Sequence, residues 1–287
     1  ATIKGTLNQP DLAGSVSGKE LSVLLLEHGI NLQQGNLTAH FHQSDLKIDQ
    51  LVFVTPHEAS PDDRLFKDLK LDGASGSLTI TGNIGFADNE SNLYFKINQL
   101  PLTHKTDYWI ITSGSGQVRF HKNNLHVNGD LSTDAGLLRQ PPEDHPELSE
   151  DIVFVNSSSS HTPKNMSLLL DVNLNLGEKF YLRASGLEGR LIGQLQVQND
   201  QRNTLKVNGS IAAQDTTYKA YGQDLTVKHG IVSFQGPLDD PGLNILAVRE
   251  GLLVEAGVEI MGSVRHPQVK LVSTPDVPDT EKLSWIV

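Results

Sequence analysis

In the stretch Leu170-Asp171-Val172-Asn173-Leu174-Asn175-Leu176, every second residue is apolar and the residues between are polar. A β-strand with one sheltered and one wetted face requires this period-2 pattern, because successive side chains leave opposite sides of the pleat. The pattern recurs in Phe180-x-Leu182-x-Ala184, Leu191-x-Gly193-x-Leu195-x-Val197, Leu93-x-Phe95-x-Ile97, Val118-x-Phe120 and Leu125-x-Val127. Helical periodicity is scarce. Residues 19–28 (KELSVLLLEH) have the length of a short helix, yet Leu21, Val23 and Leu25 alternate, so a strand is expected there.

A short unit, apolar-x-apolar-x-Gly-x-apolar, also repeats. It stands at Leu78/Ile80/Gly82/Ile84, Leu125/Val127/Gly129/Leu131, Leu205/Val207/Gly209/Ile211 and Val258/Ile260/Gly262/Val264, with shorter forms at Ile3/Gly5/Leu7 and Leu12/Gly14/Val16. Glycine inside a strand marks a bend, a bulge or a close backbone approach. Repeated at one place in many strands, it predicts a sheet that curls along one line. The units are irregularly spaced, which argues against a strict solenoid. The expected fold class is all-β. The residues alone leave two forms open: a sandwich that hides its alternating face on a second sheet, and an open curled sheet whose face lines a groove.

Residues 56–64 (PHEASPDDR) carry two prolines among charged residues and read as a loop. Residues 139–150 (RQPPEDHPELSE) and 156–165 (NSSSSHTPKN) flank an apolar patch, Ile152–Val155, and both read as flexible. They place an internal boundary near residue 145, dividing the chain into 1–145 and 146–287. Net charge of −11 and the absence of any basic run exclude binding along nucleic acid. The absence of cysteine excludes disulfides and thiolate metal sites. No apolar run approaches the about 18 residues of a membrane-spanning helix, and no signal peptide is visible. With its start at Ala1 and its end at Trp285-Ile286-Val287, the chain reads as part of a longer protein.

Chemistry-bearing motifs are few, and neither an enzyme nor a cofactor or metal site is expected. His40-x-His42 has a metal-like spacing but no third ligand nearby, so a solvent-facing pair is expected. His121 and His126 flank a turn. Asp62-Asp63 and Asp239-Asp240 are adjacent carboxylates in proline-containing loops, where turn chemistry accounts for them. Asp239-Asp240-Pro241-Gly242 predicts a tight turn before a strand at Leu243. Nucleophile elbow, P-loop and dinucleotide fingerprint are absent.

The second half carries a longer signature. Leu176-Gly177 and Phe180-x-Leu182 precede Ser185-Gly186-Leu187-x-Gly189-x-Leu191-x-Gly193-x-Leu195. Tyr218-x-Ala220-Tyr221-Gly222-Gln223-x-Leu225 leads to Gly230-Ile231-Val232-Ser233-Phe234-Gln235-Gly236-Pro237, then Asp239-Asp240-Pro241-Gly242-Leu243-x-Ile245-x-Ala247-x-Arg249. Val258-x-Ile260-x-Gly262, Pro267-x-Val269-x-Leu271-x-Ser273-x-Pro275 and Asp279-x-Glu281-x-Leu283-Ser284-Trp285 close it. In order and spacing this resembles the C-terminal region of the TamB family across about residues 168–287, with Ser149-Glu150-Asp151-Ile152-Val153 as a further segment. Residues 1–136 resemble the family only generically, as in Gly29-Ile30-x-Leu32-x-x-Gly35-x-Leu37.

The resemblance implies a long curled β-sheet forming a taco-like trough with an apolar interior. It implies a periplasmic stretch of an inner-membrane-anchored protein in a Gram-negative bacterium, meeting the outer-membrane barrel partner TamA. It further implies outer-membrane biogenesis, assembly of outer-membrane proteins including autotransporters, and phospholipid transport, as in the AsmA-like bridge-type lipid transfer group. Under that reading, phospholipid acyl chains meet Leu170, Val172, Leu174, Leu176, Phe180, Leu182, Leu191, Leu195, Val197, Leu205, Val207, Ile211, Leu225, Val227, Val232, Phe234, Leu243, Ile245, Val258, Ile260 and Val264. The alternatives are an ordinary dry core, and a chaperone-like module that binds nascent β-strands of outer-membrane barrel proteins at a sheet edge without moving lipid.

Overall fold

The structure, a computed structural model, describes residues 2–6, 9–25, 30–57, 59–62, 64–86, 90–104, 107–139, 167–199, 204–220 and 222–286. The first eight strands are β1 (Thr2–Thr6), β2 (Gln9–Leu25), β3 (Ile30–Gln43), β4 (Asp45–Pro56), β5 (Ser75–Gly85), β6 (Ser91–His104), β7 (Tyr108–His121) and β8 (Asn124–Arg139). The next eight are β9 (Ser167–Asn175), β10 (Phe180–Ala184), β11 (Leu187–Asn199), β12 (Leu205–Ala220), β13 (Gln223–Pro237), β14 (Gly242–Val248), β15 (Glu255–Ser263) and β16 (Pro267–Thr274). A terminal helix, α1 (Asp279–Ile286), follows. The strand expected over residues 19–28 is present as far as Leu25.

All sixteen strands belong to one sheet, in sequence order except at one place. There β9 and β10 lie end to end in a single position between β8 and β11. Both run parallel to β8 and antiparallel to β11: β9 pairs with Asn124–Ser132, β10 with Gly136–Arg139. The break between them is stitched by Leu176 N–H donating to the Gly193 carbonyl (3.0 Å) and Gly136 N–H donating to that of Lys179 (2.9 Å). The boundary expected near residue 145, with Ile152–Val155 and Ser157–Ser160, lies outside the described residues. The ladder from β8 to β9 and β10 carries the sheet across it. Fifteen strand positions at the usual spacing give the sheet a length of about 65–70 Å.

Two devices curl the sheet. Glycines in mid-strand take conformations closed to other residues: φ is +134° at Gly82 and +125° at Gly209. A Cβ at either would sit 2.1 Å from a neighbouring carbonyl oxygen, of Asn92 or Gln194. The second device is a series of register shifts at Gly18/Leu21, Thr38/Ala39, Ile97/Leu100, Ile111/Thr112, Glu188/Arg190 and Val227/His229. Extra residues of this kind bend a strand and raise its twist. Most of the shifts lie toward the margin that ends at Pro56, Tyr108, Arg139 and Val248, called here the bulged margin. The opposite, open margin runs through Asp45, Gly85, Asn124, Leu205 and Pro267.

Near the bulged margin Leu32, Phe53 and Leu100 are buried, with Leu21, Ile30, Leu51, Leu78 and Ile97 packed on them. These residues come from β2 to β6, and strands that are not neighbours touch there, β3 with β6 and β4 with β6. The face they share is therefore the inside of the curl.

The connection between β4 and β5 forms a strap on the other face. Phe66 packs against Trp109 (ring centroids 4.9 Å) and edge-on to Tyr181 (5.4 Å), over Ile111, Ala135 and Leu137. Tyr181 lies between Phe180 and Leu182 and so points away from the inner face. The strap is pinned by Asp62, which accepts from the Arg183 guanidinium at 2.7 Å, and by Lys179, which donates to the Asp68 carbonyl. Asp63 lies outside the described residues.

The Arg183 hydrogen bond holds the Asp62 carboxyl below the usual aspartate range, aided by the Arg64 and Leu65 amides and opposed by desolvation. A depressed folded-state pKa contributes stability above the unfolded-state value, and that contribution disappears as pH falls through the folded-state value. Asp62→Asn keeps the amide acceptor and removes the charge. In denaturant unfolding, the deficit of Asp62→Asn relative to the parent should be largest near neutrality and vanish toward acid; a deficit independent of pH would contradict it.

Candidate functional site

Directly paired residues in a ladder share a face. Following the pairs sideways from the curl traces one uninterrupted apolar belt. One row runs Leu131, Leu174, Leu195, Gly209, Phe234. The next runs Gly193, Ile211, Val232, Leu243, Gly262. A further row, Ile245, Ile260 and Val269, reaches β16. Toward the other end, Val118 pairs with Leu93 and Val127, and Phe95 with Ile80 and Gly116. Glycines punctuate the large side chains across the belt, and the Phe95 ring fills the place a Cβ would take at Gly116, 2.4 Å away.

The bulges keep charge off this face. Asp49, at the β4 shift, bonds His40 at 2.8 Å; Asp134 accepts from the Ser113 hydroxyl at 2.6 Å; Asp215 accepts from Arg190 at 2.9 Å. By alternation all three partners stand on the outer face. Burial raises the Asp134 carboxyl above the usual range, and the Ser113 hydroxyl partly counters this. Among the described residues, no Asp, Glu, Lys or Arg stands on the belt along the rows traced.

The residues expected to line a trough fall on the belt through β9 to β15, apart from Leu176 at the break between β9 and β10 and Val264 in the turn after β15. Phe180, Val207 and Leu225 are buried (6%, 2% and 3% exposed), and Leu205 and Val264 are exposed (38% and 49%). Leu170, Val172, Leu174, Leu176, Leu182, Leu191, Leu195, Val197, Ile211, Val227, Val232, Phe234, Leu243, Ile245, Val258 and Ile260 are all half-buried. A closed core would bury them. No second sheet covers them, since the described strands make one sheet.

The other motifs have local roles. His40 pairs with Asp49, and no group of three potential ligands is placed to hold a metal among the described residues. Asp239 and Asp240 staple two hairpin turns: Asp239 pairs with Arg265, and Asp240 accepts from the Arg265 amide at 3.0 Å. The Ser263 hydroxyl, with that amide, holds Asp240 below the usual range.

Strands β9 to β16 and the turn at Asp239–Gly242 carry the signature of the second half, and the sheet and its belt extend beyond it into the first. The profile of the TamB C-terminal domain family matches residues 63–287. The chain belongs to that family. It is also 26% identical over 308 aligned positions to the translocation and assembly module subunit TamB of Haemophilus influenzae, with 95% of this chain and 23% of that protein covered. The chain thus spans about a quarter of that relative's length.

Within this TamB-family chain, sequence reasoning missed part of the site. Phe41, Ile48, Leu51, Ile80, Leu93, Phe95, Val118 and Val127 continue the belt through β3 to β8. The signal was available, since several stand in the alternating runs of the first half. The strap core of Phe66 and Trp109 was not foreseen, nor was α1. That helix packs on β15 and β16, and its Trp285 carbonyl accepts from Arg249 at 3.1 Å. Its visible signal is Pro278 followed by Asp279 and Glu281, proline and acid at a helix start.

Proposed function

We propose that this chain is a stretch of a periplasmic lipid conduit that shelters phospholipid acyl chains between the inner and outer membranes. In this reading it acts within the translocation and assembly module, beside a TamA-type barrel partner, and contributes to outer-membrane protein and autotransporter assembly. The observation that carries it is the belt: apolar, uncharged, half-exposed and continuous across the sheet. A phospholipid crossing water must hide its chains, and each buried CH₂ contributes about 0.8 kcal/mol. A row of branched aliphatics supplies that shelter without gripping one position, which suits passage better than storage. No helix among the described residues is long and apolar enough to cross a membrane.

Leu174→Asp and Ile245→Asp test the reading. Both side chains are half-buried, so each variant should keep the β-sheet circular dichroism of the parent. Native mass spectrometry of the parent should show bound phospholipid, and the variants should lose it. A lipid-free parent would remove the conduit reading and favour strand capture. Among the described strands β16 is last in the sheet, and an edge of that kind offers the backbone groups that strand capture uses.

A further inference from the structure

The trough is not uniform along its length. Through β9 to β15 most of the belt is half-buried. Through β3 to β6, the half nearer the bulged margin is filled by the chain itself: Leu32, Phe53 and Leu100 are 9%, 5% and 1% exposed. A Cβ on Gly35 would stand 2.6 Å from the Phe53 ring and 2.7 Å from Cβ of Leu21, so the space over Gly35 is filled, and β3 and β4 both reach β6 across the curl. Across the same strands, Leu46, Ile84 and Leu93, nearer the open margin, stay half-buried.

We propose that Leu32, Phe53 and Leu100 form a constriction that closes the bulged-margin half of the trough along β3 to β6 and confines cargo there to a lane past Leu46, Ile84 and Leu93. The inference rests on the lipid reading of the belt. Its physical basis is packing: a close-packed interior leaves no room for an acyl chain without displacing side chains. At the constriction the register shifts in β2, β4 and β6 turn the margin inward until the side chains meet.

The test places one photo-crosslinking residue at a time in the purified chain loaded with phospholipid, and reads lipid adducts by mass spectrometry. Adducts are expected at Leu195, Ile84 and Leu93, with loss of adducts at Leu78 and Ile97, which pack on the constriction. Phe53→Ala should restore adducts at Ile97; Leu100→Val serves if that variant fails to fold. Adducts at Leu78 and Ile97 as abundant as at Leu93 overturn the constriction while leaving the conduit standing. Adducts at Leu195 with none at Ile84 or Leu93 also overturn it, because the lane would be empty. An absence of adducts at every position, Leu195 included, overturns the conduit reading and the constriction with it.

Discussion

Replacing Gly82 by valine should destabilise the sheet by about 3 kcal/mol, although valine is much the better strand former. Propensity and geometry give opposite signs here, and magnitude decides. The propensity scale spans about 1 kcal/mol. Against it stand a φ of +134°, which L side chains rarely adopt, and a Cβ position 2.1 Å from the Asn92 carbonyl oxygen. That oxygen belongs to the paired strand, so relief requires β5 and β6 to separate or straighten. Gly242→Ala provides the control. Gly242 has no atom closer than 3.7 Å to its would-be Cβ and no positive φ, and the substitution should change stability by no more than about 0.5 kcal/mol. Urea unfolding of the three proteins checks both values. If Gly82→Val unfolds at the parent midpoint, glycine is not what curls this sheet.

Phe66→Ala should cost about 3–5 kcal/mol and release the strap while leaving the trough intact. Phe66 is 5% exposed and fills the space between Trp109, Ile111, Leu137 and Tyr181. Its loss leaves a cavity beside the half-buried Leu65, Leu69 and Leu71. Water entering there reaches Trp109, now 4% exposed, so its fluorescence should shift to the red before global unfolding. Lipid bound to the inner face should survive in the folded fraction, because Trp109 and Tyr181 face outward. A variant with unchanged emission and midpoint would mean that the strap is held by its polar pins, Asp62 with Arg183 and Lys179 with the Asp68 carbonyl.

The inner face was legible because its signal is local. Leu170 to Leu176 and Leu191 to Val197 declare their alternation within a few residues, and the pleat converts that directly into sidedness. Openness was not legible. A half-buried Leu195 and a buried one are spelled the same, and only the absence of a covering sheet distinguishes them. The strap was hidden for a different reason: Asp62 and Arg183 lie 121 residues apart, and no periodicity links them. Phe66 lies just beyond the stretch 56–64 whose prolines and charges read as a loop; the connection runs on to β5 at Ser75, and Phe66 is its apolar anchor. The bulges were half visible. Glycine repeats gave the line of curl, whereas the extra residues Asp49, Asp134 and Asp215 carry no mark until the register is known.

The parallel seam at β8 bears on how such a sheet assembles. On either side of it, consecutive strands pair as antiparallel neighbours, most of them through short connections, the β4–β5 strap apart, and can zip as they form. Across the seam the partners are remote: Asp130 bonds Asn173, 43 residues on. Closing a longer loop costs more entropy and slows the contact. Two meanders, β1 to β8 and β10 to β16, therefore have the faster route, and their union through β8, β9 and β10 is the slow step. Synthesis runs from the N-terminus, so β8 is complete while its partners are still being made. For that interval it is a bare edge beside an apolar face, the combination most prone to pairing with the wrong chain.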